Sequence, residues 1–343
     1  MKKGLISLIE ISILENNIPK MLYYIKAHKH KSVKRGEILF MKKIGTWILM
    51  IGITVMLAAC GTSSDAESSE DRKSGEGEAL TVGITQIVEH PALNRATEGF
   101  KKALNEAGLN VNFVEEIAQG DNNNNQMIAQ KFVGDEVDLI FANSTPSAQS
   151  ALNETKDIPI VFTSVTDPVG AGLVESMKQP GGNVTGTADM HPETLSKTLG
   201  LIKDLDKKTV GLIYNASEQN SVSQVESVKK LAKEKGLDTA EATVSSSSEV
   251  KQAAESLVGK ADSFLIITDN TVVSALESVL MVGQEQDIPV VVSEHDSVKR
   301  GGFAAYGFDY FDIGLEAGQK AVQILKEGKA PGEIPAEHPQ NLN

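Results

Sequence analysis

The sequence of 343 residues contains a single cysteine, Cys60. This excludes a disulfide framework and any multi-cysteine metal site within one chain, and it leaves at most one thiol for chemistry. A basic excess is also lacking: 33 Lys and Arg stand against 46 Asp and Glu, a formal charge of −13. With no surplus of positive charge to neutralise phosphates, nucleic-acid binding is excluded. Familiar catalytic signatures are missing. Thr85-Gln86-Ile87-Val88 occupies the turn where a dinucleotide-binding Gly-x-Gly-x-x-Gly would fall. Gly181-Gly182-Asn183-Val184-Thr185-Gly186 lacks the Lys and Ser/Thr of a P-loop, and there is no Gly-x-Ser-x-Gly nucleophile turn. Glu-His pairs at 89–90, 294–295 and 337–338 are poor chelates, because adjacent residues on a strand point to opposite faces. His90, His191, His295 and His338 show no metal-ligand spacing. These absences argue against an enzyme, a cofactor and a metal site.

Long apolar runs are scarce as well. Residues 44–59 form a run of 16, short of the roughly 20 that a membrane span needs. The run follows Lys42-Lys43 and closes on Leu57-Ala58-Ala59, the positive, apolar and small-residue order of an export signal. Charge supports a targeting segment. Residues 1–59 hold 10 Lys/Arg and 3 Asp/Glu, whereas the remaining 284 hold 23 and 43, a net of −20. Cys60 follows the small residues directly, which resembles the lipobox of bacterial lipoproteins, and this resemblance implies lipidation at Cys60. Residues 61–79 are polar and aperiodic and read as a disordered tether. Residues 1–40 precede the signal and read as an upstream extension, with Met41 as the functional start. N-terminal sequencing of a non-cleavable Cys60→Ser precursor that began at Met1 would refute that start.

From residue 80 onward, strand-like runs alternate with amphipathic segments, the pattern of βα units and parallel sheets. Strands are expected at 80–85, 111–116, 137–142 and 159–163, with helices at 91–107, 123–133 and 146–155. The second half repeats the first. Residues 138–152 align without gaps on 262–276, Asp157-Ile158-Pro159 on Asp287-Ile288-Pro289, and 181–189 on 301–309. The fold class that follows is α/β, two doubly wound Rossmann-like lobes joined by a hinge. Ligands in such sheets sit beyond the carboxyl ends of the strands, here in the cleft between lobes. The expected division is 80–187 plus 300–328 for the first lobe and 188–299 plus 329–343 for the second, whose C-terminus reads as incomplete.

Several segments, in order, carry a family resemblance: Ile87 to Leu93, Ala118-Gln119-Gly120-Asp121, Thr145-Pro146-Ser147-Ala148-Gln149, Val165-Thr166-Asp167-Pro168-Val169, Gly182-Asn183-Val184-Thr185-Gly186, Tyr214-Asn215, Glu218 with Asn220-Ser221, and Thr268-Asp269-Asn270-Thr271. They resemble the substrate-binding lipoproteins of ABC importers, most of all the tryptophan- or aromatic-amino-acid-binding branch. The resemblance spans about residues 80–335 and implies a type I periplasmic-binding-protein fold, with hinge crossings near 187–190 and 298–301. It further implies a monomer lipid-anchored on the extracytoplasmic face of the cell membrane, a small amino-acid ligand, and an ABC permease with its ATPase as partners. A receptor feeding a sensor, or a binder of a branched-chain amino acid or nucleoside, stays open as an alternative. Asn143-Ser144 departs from the family, which has a more apolar residue there.

An amino-acid ligand needs partners for a carboxylate and an ammonium. Ser144 and Thr145, before Pro146, offer hydroxyls and free backbone N–H groups at a helix start, as do Asn220 and Ser221 in the other half. Asp269, Asp167, Asp309 and Glu89 follow strands and are candidate ammonium partners, Asp269 first. Helix caps and turns account for the same residues equally well. Tyr310, Phe308, Tyr306, Tyr214 and His90 are candidates to face an aromatic ring, Gln119 and Asn215 to add amide hydrogen bonds, and Asn270, beside Asp269, is a further ligand candidate.

Overall fold

The computed structural model describes residues 79–340 and 342. The extension, export signal, Cys60 and nearly all of the tether expected from the sequence lie outside the described residues.

The first sheet is built of β1 (Leu80–Gln86), β2 (Val111–Ile117), β3 (Leu139–Asn143), β4 (Ile160–Val165) and β5 (Val184–Ala188), in the order β2-β1-β3-β4-β5, all parallel. Helices α1 (Pro91–Glu106), α2 (Asn122–Gly134) and α3 (Thr145–Glu154) connect the strands. The chain then crosses to α4 (Thr194–Asp204) and the second sheet. That sheet holds β6 (Thr209–Asn215), β7 (Asp238–Val244), β8 (Ser263–Ile266) and β9 (Val290–Val292), in the order β7-β6-β8-β9, again parallel. Its helices are α5 (Gln219–Lys235), α6 (Val250–Ser256), α7 (Asn270–Ser274), α8 (Leu276–Glu285) and α9 (His295–Lys299). The long α10 (Tyr310–Leu325) returns to the first lobe and lies against α1.

The fold class expected from the sequence is the one observed, and the elements fall within two residues of their expected bounds. Buried apolar runs such as Leu139-Ile140-Phe141-Ala142 are what a strand covered on both faces requires. The internal repeat has a mechanical meaning. Asp138 accepts from the Thr81 N–H at 2.7 Å, where β1 starts, and its repeat partner Asp262 accepts from the Thr209 N–H at 3.0 Å, where β6 starts. Each aspartate pins the leading edge of an interior strand of its sheet, the one next to the edge strand.

Small residues bring α10 close to the first sheet. A Cβ on Gly314 would fall 1.9 Å from the Ala96 carbonyl oxygen, and one on Gly99 would fall 2.1 Å from that of Phe311. The backbones of α1 and α10 touch there, which fixes where Tyr310 enters the cleft.

Two expected boundaries are corrected. The second crossing lies at 305–309, not at 298–301. Phe303 N–H donates to the Val290 oxygen at 2.7 Å and Val292 N–H to the Ala304 oxygen at 3.0 Å, so residues 303–304 extend the edge of the second sheet. The segment 332–337 belongs with the first lobe and not the second. Thr185 Oγ1 donates to the Ile334 carbonyl at 2.7 Å, and Ala188 N–H to that of Glu337 at 2.8 Å.

Candidate functional site

The carboxyl ends of the two sheets face each other. From the first lobe come His90 between β1 and α1, Ser144-Thr145 at the start of α3, and Thr166 just after β4. From the second come Thr268-Asp269-Asn270 between β8 and α7 and Ser293-Glu294 between β9 and α9. Asp189 stands at the first crossing, and Tyr310 opens α10 after the second. His90, Leu93, Asp189, Thr268, Asp269, Asn270, Val273, Glu294 and Tyr310 line one narrow, nearly filled space.

Three buried carboxyls face that space. Asp189 accepts from the Tyr310 hydroxyl at 2.8 Å and from Thr166 Oγ1 at 3.0 Å. Burial outweighs those donors and pushes its carboxyl up to about 6. The Tyr310 hydroxyl is itself held well above its ordinary value by burial and by the Asp189 charge. Glu294 caps α9 through the Asp296 and Ser297 N–H groups at 2.5 and 2.8 Å, and burial raises it too. Asp269 accepts from the Asn215 N–H at 2.6 Å, Ser221 Oγ at 2.7 Å and the Val272 N–H at 2.8 Å. Burial and then the Glu218 charge raise it. None of the three forms an ion pair with Lys or Arg among the described residues. His90 is buried opposite them. Burial, and then the positive charge of Arg300, lower it to about 3, so its ring is neutral near pH 7, while Asn270 of the other lobe opposes that shift. The His90 Nδ1 accepts from the Leu93 N–H at 3.5 Å.

The helix starts form the second part of the site. Ser144 caps α3, accepting from the Ser147 N–H at 3.3 Å, and its φ of 143° is one that non-glycine residues seldom adopt. Thr145 Oγ1 and Asn220 Oδ1 are buried and have no hydrogen-bond partner. Their helices α3 and α5 come into contact across the lobes. Unpartnered buried polar atoms at two helix starts suit an anion, which also gains from the free N–H groups there.

The sequence-expected residues divide accordingly. The structure brings His90, Asp269, Asn270 and Tyr310 together around that space and sets Asn220 beside it, its Nδ2 donating to the Thr268 oxygen at 3.0 Å, while Ser144 and Thr145 stand at the start of α3 outside its lining. Ser221 and Asn215 brace Asp269 from behind, and Asn215 Nδ2 also donates to Thr271 Oγ1 at 2.9 Å. Four residues are placed elsewhere. Glu89 and Gln119 are exposed. Asp167 is occupied in a turn, accepting from the Gly170 N–H at 2.9 Å. Asp309 caps α10 through the Phe311 N–H at 2.8 Å and pairs with Arg95 at 3.4 Å. Asp167 and Asp309 are taken up by these neighbouring groups, and neither lines the cleft space.

Asp189, Glu294, Thr166, Thr268 and Gln224 were not foreseen as site residues. The repeat held a signal for Asp189, since it aligns with Asp309. Asn143, the departure from the family pattern, is a buried hub. Its Nδ2 donates to the Leu93 oxygen at 2.8 Å, Thr97 Oγ1 at 3.0 Å and Gln86 Oε1 at 3.2 Å, and its Oδ1 accepts from Ser164 Oγ at 2.7 Å.

Comparison with known proteins agrees with this geometry. The family model for ABC transporter substrate binding proteins matches residues 81–343. A tyrosine-binding protein of Clostridioides difficile (strain R20291) is 45% identical over 302 residues, which is 86% of this chain and 87% of the relative. The solved ABC domain in complex with L-Trp from Streptococcus pneumonia is 32% identical, with a TM-score of 0.73 over 77% of this chain and 90% of that one. A ligand-free, open substrate-binding protein with adhesive properties from Clostridium difficile is 42% identical over 77% of this chain and 91% of that one, yet its TM-score is 0.58. The chain belongs to the ABC transporter substrate-binding protein family.

Proposed function

We propose that this protein captures a free aromatic amino acid, of the tyrosine or tryptophan kind, between its lobes and delivers it to an ABC permease. Lipidation at Cys60 holds it on the extracytoplasmic face of the membrane, and a separate ATPase subunit drives uptake. The single observation that carries the ligand class is the set of buried carboxyls, Asp189, Glu294 and Asp269, lining one space with no cationic partner. A buried carboxylate without a counter-charge is costly, and a ligand ammonium relieves that cost. Asp189 is the main ammonium partner, because Asp269 already accepts from three protein donors and Glu294 from two backbone N–H groups of its helix cap, whereas Asp189 meets only two side-chain hydroxyls. The ligand carboxylate meets Thr145 Oγ1 and the two helix starts. An aromatic ring packs beside Tyr310, which itself stacks on Phe308 at 5.5 Å between centroids. The names of the tyrosine-binding relative and the L-Trp complex support the aromatic choice.

Thermal unfolding with L-tyrosine, L-tryptophan, tyramine and N-acetyl-L-tyrosine tests this. A ligand at 100 times its dissociation constant adds about 2.7 kcal/mol, a shift of a few degrees. The shift is expected with the free amino acids and is lost when either the carboxylate or the ammonium is removed. A sharp melt that none of them moves would refute the reading.

A further inference from the structure

Thr166 and Thr268 belong to opposite lobes, and their hydroxyl oxygens are 3.0 Å apart. Gln224, on α5, donates through Nε2 to Thr268 Oγ1 and also to Thr166 Oγ1, the latter at 3.3 Å, and its Oε1 accepts from the Thr268 N–H at 3.3 Å. Thr166 Oγ1 in turn donates to Asp189 Oδ1 at 3.0 Å. Each threonine hydroxyl has one proton. That of Thr166 is committed to the Asp189 carboxylate, which only accepts. Thr268 must therefore give its proton to Thr166 and receive one from Gln224. The donors run in one direction, from Gln224 to Thr268 to Thr166 to Asp189, and Tyr310 supplies the other Asp189 oxygen at 2.8 Å. Such a chain polarises along its length and ends on a carboxylate at the hinge crossing. Only one link in it, Thr268 to Thr166, passes directly from hydroxyl to hydroxyl between lobes, and Gln224 braces that link from the second lobe.

We infer that Thr166 and Thr268 are positioning residues that clasp the lobes shut over the ligand and aim the Asp189 carboxylate into the cleft. The ligand part of this inference rests on the proposed capture of an amino acid by Asp189, whereas the clasp itself does not. A ligand leaves only after the lobes part, so the clasp governs release more than capture. It also biases the protein toward closure before any ligand arrives.

The test uses the full chain as wild type, Thr166→Val, Thr268→Val and the double variant, since valine keeps the shape and removes the hydroxyl. Stopped-flow binding of L-tyrosine is expected to show release faster by about two- to tenfold in each single variant, the worth of one hydrogen bond. The double variant should release no faster than the worse single variant, because both changes break the same link. The association rate should not fall. A variant that merely folded poorly would bind fewer ligands without changing the release rate of those bound. Small-angle X-ray scattering without ligand should give a larger radius of gyration for the variants. Unchanged release, or effects of the two substitutions that simply add, would overturn the clasp. If wild type fails to bind L-tyrosine, the aromatic reading fails, and scattering decides the clasp alone: equal radii in wild type and double variant would refute it.

Discussion

The Tyr310 hydroxyl donates to Asp189 Oδ2 at 2.8 Å, joining two residues 121 positions apart in the chain. Asp189 stands where the chain leaves the first sheet, and Tyr310 where it comes back to it. The bond therefore ties the two crossings together at the floor of the cleft. Tyr310→Phe removes the donor and leaves a buried carboxylate with one partner fewer. A loss of about 1–3 kcal/mol in stability is expected, read as a lower urea midpoint. The Asp189 carboxyl should also titrate higher, which NMR of the side chain would record.

Asp189 gives stability a specific pH dependence. Its ordinary value is 3.8 and burial raises it to about 6, so the folded protein holds this proton more tightly than the unfolded chain. The linked stabilisation is fully present below about pH 4 and is lost as pH rises through about 6. It amounts to about 3 kcal/mol, and the raised Asp269 and Glu294 act with the same sign. Asp189→Asn should melt higher than wild type at pH 8, and the gap should close toward pH 4. Parallel melting curves across that range would contradict the assignment.

Binding should follow pH in the opposite sense. The ammonium partner has to be ionised, so L-tyrosine affinity of the wild type should rise as pH increases through about 6. Calorimetric titrations at pH 5 and 7.5 would show it. Asp189→Asn should lose both the dependence and most of the affinity. Asp309→Asn offers the contrast, because asparagine caps a helix about as well as aspartate and this side chain faces Arg95. Its affinity should stay within about twofold of wild type, since exposed ion pairs contribute little.

Gly314→Ala should be among the most damaging small substitutions. The new methyl would meet the Ala96 carbonyl oxygen at 1.9 Å, and neither backbone can yield without parting α1 from α10. A loss of about 1–3 kcal/mol or more is expected by chemical denaturation. Affinity should fall with it, because α10 carries Tyr310.

Asn143→Ala tests the buried hub beneath the helix starts. It leaves Gln86, Thr97 and Ser164 short of partners, and Ser164 is already held at a φ of 55°. A cost of about 2–3 kcal/mol is expected in urea denaturation. Weaker binding should accompany it, as Ser144 adjoins the hub and sets the direction of α3.

Much of this protein was legible along the chain. Alternation of apolar runs and helix-forming stretches specified two parallel sheets, because both patterns arise from neighbouring residues and the periodicity of each element. The collinear repeat, Asp138 with Asp262 and Gly181 to Asp189 with Gly301 to Asp309, specified two lobes of one design. Pro91 and Pro146 marked helix starts, and the first of those starts is where His90 enters the cleft. The departure at Asn143 was visible too, although its meaning depended on four partners from elsewhere.

What the tertiary structure decided is which of several chemically equal residues face the ligand space. Asp189 and Asp309 are repeat partners, and both follow apolar segments. Asp309 meets the free N–H of Phe311 and becomes a cap, while Asp189 meets Tyr310 and Thr166 and stays in the cleft. The second crossing moved to 305–309 for a similar reason, since residues 303–304 found β9 to pair with before the chain turned back. Local pattern determines which element a residue joins. The choice among equal acids is made by which partners the fold sets beside each one: Asp309 finds a free N–H two residues on, whereas Asp189 meets Thr166 and also Tyr310, 121 residues away, which only the return of α10 to the first lobe brings within hydrogen-bond reach.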